Sequence, residues 1–327
     1  MSDLHDYIHQ FTHLRRAPNP VFGADTKKRA PHKPILLLAV LDLVERGAIA
    51  TSFIDITSDL VDLNDLFNLY WRRIMPISQN SSIAFPFPRL DNEAFWKLVP
   101  LPGILITPAL INSTTSVSNL RRYALGARID EDLFVIMQSE TGRSALREAL
   151  LQSCFSVEAQ QILREQSAIN QGAFDYERLL EQKAHQPLVK EVLAADSYKP
   201  AARDQGFRRV VVATYDHRCA LCGIRIVTPE GHTVVEAAHI VPWSESRNDD
   251  IRNGMALCRL CHWGFDEGML GVSTNYQVIT SVSIGLVPNF AGPLQTLTGR
   301  GIIPPQDTAL WPAQEYLGEH RQRWKLK

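Results

Sequence analysis

Four of the five cysteines fall into two Cys-x-x-Cys pairs, Cys219/Cys222 and Cys258/Cys261, with His239 and Asn253 between the pairs and His262 directly after them. Each pair can turn two sulfurs onto one ion, and Gly223 frees the first turn. Four thiolates satisfy tetrahedral Zn²⁺ and leave no open position, so this zinc is a structural staple and not a reaction centre. Closely paired cysteines also fit metal ligation in a reducing compartment better than disulfides. Cys154, in the apolar stretch ALLQSCF, reads as a buried helix residue.

The segment between the pairs is longer than a zinc ribbon needs, so it has room for a functional hairpin. TVVEAAHI (Thr233 to Ile240) is a β-type run with His239 near its end. Asn253-Gly254 reads as a turn, and a helix is expected from Arg259, with His262 and Asp266 four apart on one face. This set suits phosphodiester hydrolysis, which needs an activated water and a Lewis acid on the phosphate. A neutral imidazole, His239, can deprotonate water, and the Asn253 side-chain carbonyl is expected to orient it. His262 with Asp266 can hold one divalent ion, Mg²⁺, Mn²⁺ or another, with positions open for substrate. His217 and His232 have no such context.

From about Ala213 to Leu270 the chain resembles an HNH endonuclease of the zinc-stapled ββα-metal class. Both knuckles, AAHIVPW, NGMALCRLCH and FDEG occur together in that family's order. The resemblance implies that His239 is the general base, Asn253 its orienting residue and His262 a metal ligand. Many members carry Asp or His just before the first histidine as a second ligand, whereas here the position is Ala238. Either Asp266 or Glu236 must then supply it. Asp266 is favoured, because strand alternation puts Glu236 opposite His239.

Several elements must position this set. Helices are expected from Asp3 to Arg16, from Pro34 to Arg46, from caps at Thr57, Ser58 or Asp59 to Pro76, from Phe207 to Tyr215 and from Glu315 to Trp324. ILLLAVLDLV is apolar nearly all round, which marks a central core helix. Ser78 to Thr107, rich in proline and aromatics, reads as irregular loop and short strand held by Phe85, Phe87, Phe95 and Trp96. Residues 143–193 are mostly helical, and polar stretches at 166–175 and 196–205 bracket an inter-domain connection. The expected fold is α+β, with a mostly helical DNA-recognition domain over 1–165, a helical linker over 166–200 and the HNH domain over 201–327.

A net charge of −1 excludes a globally basic nucleic-acid binder, so DNA must be met by local clusters such as Arg15-Arg16 or Lys27-Lys28-Arg29. The longest apolar run, Ile35 to Leu41, is too short to span a bilayer, and the N-terminus lacks a secretory pattern. A cytoplasmic protein without a membrane partner is expected. No GxxxxGK[ST], HExxH or GxSxG motif occurs.

RAPHKPILLLAVLDLVERG followed by IAFPFPRLDNEAFWKL is similar to the sulfur-binding domain of restriction endonucleases that act on phosphorothioate-modified DNA. The resemblance implies that Phe85, Pro86 and Phe87 cup the sulfur, while Arg29, His32 and Lys33 hold the charged linkage. Phe85 stands where that family has tyrosine, and Lys33 where it commonly has arginine. The implied protein is a type IV restriction endonuclease on phosphorothioate-modified double-stranded DNA. Cutting both strands with one site per chain predicts a homodimer. Two alternatives stay open: a reader of another modification such as a methylated base, and a non-catalytic zinc-stapled DNA binder.

Overall fold

The computed structural model describes residues 3–56, 60–188, 197–286 and 292–326. The expected caps at Thr57, Ser58 and Asp59, and residues 189–196 of the expected linker, lie outside them. The fold is α+β, as expected. It divides into two compact units, Met1–Gln171 with Thr228–His232, and Gly172–Val227 with Thr233–Lys327.

In the first unit, α1 (Leu4–Thr12) precedes α2 (His32–Arg46), followed by β1 (Phe53–Asp55), α3 (Leu60–Ile74), α4 (Pro86–Arg89) and β2 (Trp96–Pro100). Then come α5 (Pro108–Ser113), α6 (Val117–Leu120), β3 (Ala124–Ile129), α7 (Glu131–Gln138), α8 (Glu140–Cys154) and α9 (Val157–Ala184), whose residues from Gly172 on belong to the second unit. The all-round apolar α2 is buried from Lys33 to Val44 and packs against α3, α4, α7 and α8. It starts at His32, two residues before Pro34, and ends at Gly47 in the left-handed region (φ 79°). Its one buried carboxylate, Asp42, accepts from Tyr70 Oη (2.6 Å), Asn170 Nδ2 (2.8 Å) and Arg147 Nη2 (2.9 Å). The sheet is antiparallel in the order β1-β3-β2, with Ile54 and Leu98 both opposite Ala127.

The FPFP stretch differs from the expected loop. Pro86–Arg89 is a helical turn, α4, because proline in a first turn forfeits no hydrogen bond. The polar stretch 166–175 lies within α9, and the division between the two units falls inside it, at Gln171/Gly172. Gln166, Ser167 and Asn170 are buried, with Asn170 bonded to Asp42 and Gln166.

The second unit contains α10 (Pro200–Thr214), β4 (Val235–His239), α11 (Trp243–Ser246), β5 (Gly254–Cys258), α12 (Arg259–Asp266), β6 (Leu270–Val272), β7 (Val278–Thr280) and α13 (Gln314–Trp324). β4 and β5 form an antiparallel ribbon with His239 opposite Gly254. α10 packs on this ribbon, α12 packs on both of its strands, and α13 packs against β6. Among the described residues no helix is long and apolar enough to cross a membrane.

Candidate active site

The cysteines converge as expected. In the first knuckle, Gly223 (φ 80°) turns the chain so that its N–H reaches the Cys219 carbonyl at 2.9 Å. The second knuckle joins the end of β5 to the first turn of α12. The four sulfurs lie within 4.8 Å of one another, and Cys222 and Cys258 are 3.7 Å apart. A tetrahedron with metal–sulfur bonds of about 2.3 Å spaces its sulfurs by roughly 3.8 Å. The donor set therefore fits a structural zinc. Thiol hydrogen bonds from Cys222 and Cys261 hold the Cys219 thiol far below its ordinary pKa, as a ligand sulfur requires.

His239 ends β4 and is clamped. Phe207 on α10 stacks on its ring, with centroids 4.1 Å apart and planes 7° apart. Gly254 makes this possible: a Cβ there would lie 2.7 Å from Val211 and 3.0 Å from the Phe207 ring. The Nε2 atom of His239 lies 2.7 Å from Oδ1 of Asp249, whose side chain is 2% exposed. Oδ2 of Asp249 accepts from Tyr176 Oη at 2.9 Å and faces Arg203 Nε at 3.3 Å. Burial first, and then the Asp249 charge, push the Tyr176 phenol far above its ordinary pKa, so it stays a donor. The Arg203 guanidinium also lies over Trp243, 3.6 Å from the ring centroid.

The Asn253 side chain makes its hydrogen bonds to backbone and none to His239. Its Oδ1 accepts from the Val241 N–H at 2.9 Å, and its Nδ2 donates to the carbonyls of Val241 (3.1 Å) and Asn248 (2.9 Å). It is fully buried and pins the two ends of the loop that carries Asp249. The sequence reading missed Asp249, Tyr176, Arg203 and Phe207. The Asp249-Asp250 pair was a faint signal inside a polar loop.

His262 lies on α12 with 26% of its side chain exposed. Asp266 Oδ2 is 3.4 Å from its Nε2, and Glu236 Oε2 is 3.5 Å from its Nδ1. Glu236 thus joins the site in spite of strand alternation. It lines one concavity of about 480 Å³ together with Ala237, His239, Asp249, Asp204, Phe207 and Arg208. Two-stranded ribbons twist strongly, which weakens the rule of opposite faces at a strand end. Ala238 is buried and offers no ligand. An imidazole with one carboxylate, the remaining positions going to water and phosphate, suits Mg²⁺ or Mn²⁺. Among the described residues, only the cysteines gather three or more His, Cys, Asp or Glu donors within 4.8 Å of one another.

The first unit has a concavity of about 730 Å³ whose lining includes Arg29, His32, Lys33, Phe85 and Pro86. Phe87 is not part of it. Fully buried, it packs edge-on against Trp96 in the core, centroids 5.1 Å apart. Lys33 lines the wall, but its ammonium is paired with Glu93 and donates to Asn92 Oδ1 at 2.6 Å, so it is no free cation. The cations that sequence reasoning did not place here are Arg15, Arg16 and Arg89. Arg16, Arg29 and Arg89 donate to backbone carbonyls. Among the described residues none of these four arginines has a carboxylate in ion-pair range. Burial, with Arg89 adding to it, lowers the His32 pKa to about 4, so the ring is neutral. It sits among Trp71, Phe22 and Phe85, at centroid distances of 4.6, 5.5 and 5.8 Å.

Residues 219–273 match the family model described as HNH endonuclease. No curated protein matches the chain. One solved structure, a "Modification dependent TagI restriction endonuclease", is 21% identical over 36% of this chain and 36% of that chain, with a TM-score of 0.27. The chain thus spans about a third of that protein's length. The ribbon β4–β5, helix α12 and the four-cysteine cluster belong to an HNH endonuclease domain.

Proposed function

We propose that the chain is a modification-dependent DNA endonuclease, in which the first unit reads a phosphorothioate linkage and the HNH domain of the second unit cuts. The observation that supports the cutting role is the clamped His239, which shares a concavity with Glu236, the neighbour of His262. With Nε2 facing the Asp249 carboxylate, Nδ1 is the ring atom left to take a proton from water. Arg208, exposed at the rim, suits a phosphate oxygen. A divalent ion bound at His262 with Glu236 or Asp266 supplies Lewis-acid polarisation of the scissile phosphate. Two copies of the chain, one for each strand, complete a double-strand cut.

The concavity of the first unit supports the reading role. A non-bridging sulfur is larger, softer and less hydrated than oxygen, and it favours an apolar wall. Phe85, Pro86 and the neutral His32 supply such a wall, while Arg15, Arg16, Arg29 and Arg89 supply cations for the linkage charge. The test uses duplexes of one sequence carrying a phosphorothioate, a methylated base or neither, incubated with the protein in Mg²⁺ or Mn²⁺. Cutting of the phosphorothioate duplex alone is expected. Equal cutting of all three would remove the sulfur reading and keep the nuclease, whereas no cutting of any would remove both. His239→Ala is expected to lose at least about 10³-fold in cleavage rate, with DNA affinity unchanged.

A further inference from the structure

We infer that Asp249 is the positioning residue of His239: it selects the ring tautomer that carries the proton on Nε2 and leaves Nδ1 to accept one from water. The inference rests on the nuclease reading above and deepens it. The Asp249 carboxylate is almost wholly removed from water, a costly position for an ion unless both oxygens are met by donors. Oδ2 is met by the Tyr176 hydroxyl and by the cationic Arg203. Arg203 carries no acceptor atom, so the oxygen that faces it bears no proton, and it accepts from Tyr176 Oη. Oδ1 then faces Nε2 at 2.7 Å, and a carboxylate oxygen there requires an N–H. The stacked Phe207 ring closes the other route by which the imidazole would change partner, rotation out of the plane.

The arrangement gives Asp249→Asn an unusual consequence. The new amide is expected to keep its oxygen toward Tyr176 and Arg203, because an NH₂ group there would face the Arg203 cation, which has no acceptor atom. Its NH₂ is then turned onto Nε2, which must become the acceptor, so the ring proton moves to Nδ1. The base is still in place but carries its proton on the wrong nitrogen.

The experiment is a long-range ¹H–¹⁵N correlation on full-length protein labelled with ¹⁵N-histidine, recorded near pH 8 with and without the substitution, alongside steady-state cleavage. Wild type is expected to show the Nε2–H tautomer at His239, and Asp249→Asn the Nδ1–H tautomer. The turnover number of the variant is expected to fall by about 10³- to 10⁴-fold, the size known for loss of the carboxylate in a hydrolase triad, with KM changed less than about threefold. Tyr176→Phe leaves the carboxylate and one donor in place. It is expected to keep the wild-type tautomer and to lose less than about tenfold in rate. An Nδ1–H ring in the wild type would overturn the inference, however the variant folds. So would an Asp249→Asn protein that turns over within about tenfold of wild type. If the wild type cuts no DNA, the nuclease reading fails while the tautomer measurement still decides the inference.

Discussion

Asn253 shows what spacing reveals about a single residue and what it hides. Its place between the knuckles marked it as part of the site, but not what its amide would touch. Each polar atom of that amide bonds the backbone of the loop running from Val241 to Asn248. Asn253→Ala would leave the Val241 N–H and the Asn248 carbonyl without partners in a buried loop, and the Val241 carbonyl with Ser246 Oγ alone, at 3.3 Å. Unmet groups cost about 1–3 kcal/mol each when water cannot reach them. Asn253→Ala is therefore expected to destabilise the second unit by roughly 3 kcal/mol in urea unfolding, and to slow cleavage as Asp249 loses its register. A loss under about 0.5 kcal/mol would contradict this account. His239, His262 and the cysteines were legible because their chemistry is carried by local order. Asp249 was not, since nothing in Asn248-Asp249-Asp250 tells which aspartate turns inward. Asp249 meets His239, while Asp250 caps the next turn and pairs with Arg252. Lys33 was legible as a cation, but its partner Glu93 stands 60 residues away.

At the level of elements, the ribbon, α12 and the closing helix α13 fall where periodicity and turn residues put them. Composition is a poor guide to exposure within an element. In the polar stretch of α9, Ser167 and Asn170 turn inward and complete the shell of Asp42. The first knuckle is tied to the ribbon by the Ala220 N–H, which donates to the Ala256 carbonyl at 2.8 Å. Stripping the metal from the four sulfurs would leave thiolates packed together at one end of β5, where they repel. Exhaustive chelation is expected to remove roughly one zinc per chain and several kcal/mol of stability from the second unit, since a structural zinc contributes directly to folding. The first unit has no cysteine in the staple, so its melting transition should not move. Calorimetry with and without chelator, together with metal analysis, checks both statements. A single unshifted thermogram with no zinc released would refute the staple.

For the whole molecule, two histidines, half-buried His32 in the first unit and buried His320 in the second, make stability depend on pH in a way the near-zero net charge does not suggest. His32 in the first unit and His320 in the second are both lowered to about 4, burial being the largest cause in each. His320 stacks on Phe265 with centroids 3.7 Å apart and bonds the Phe265 carbonyl through Nε2 at 2.9 Å. The folded rings stay neutral where the unfolded chain would take up protons. Stability from these groups is therefore complete above pH 6.5 and is lost as pH falls toward 4, by at most about 3 kcal/mol for each ring. In the first unit Asp42 acts in the opposite sense. Its pKa is raised by burial, so its protonation in acid favours the folded state and offsets part of the loss at His32. His320→Gln removes the titrating ring while keeping a donor for the Phe265 carbonyl. Between pH 7.5 and 5 its unfolding free energy should fall by roughly 2 kcal/mol less than that of wild type. Denaturant unfolding at the two pH values measures the difference, and an unchanged pH dependence in the variant would show that His320 is not the group being titrated.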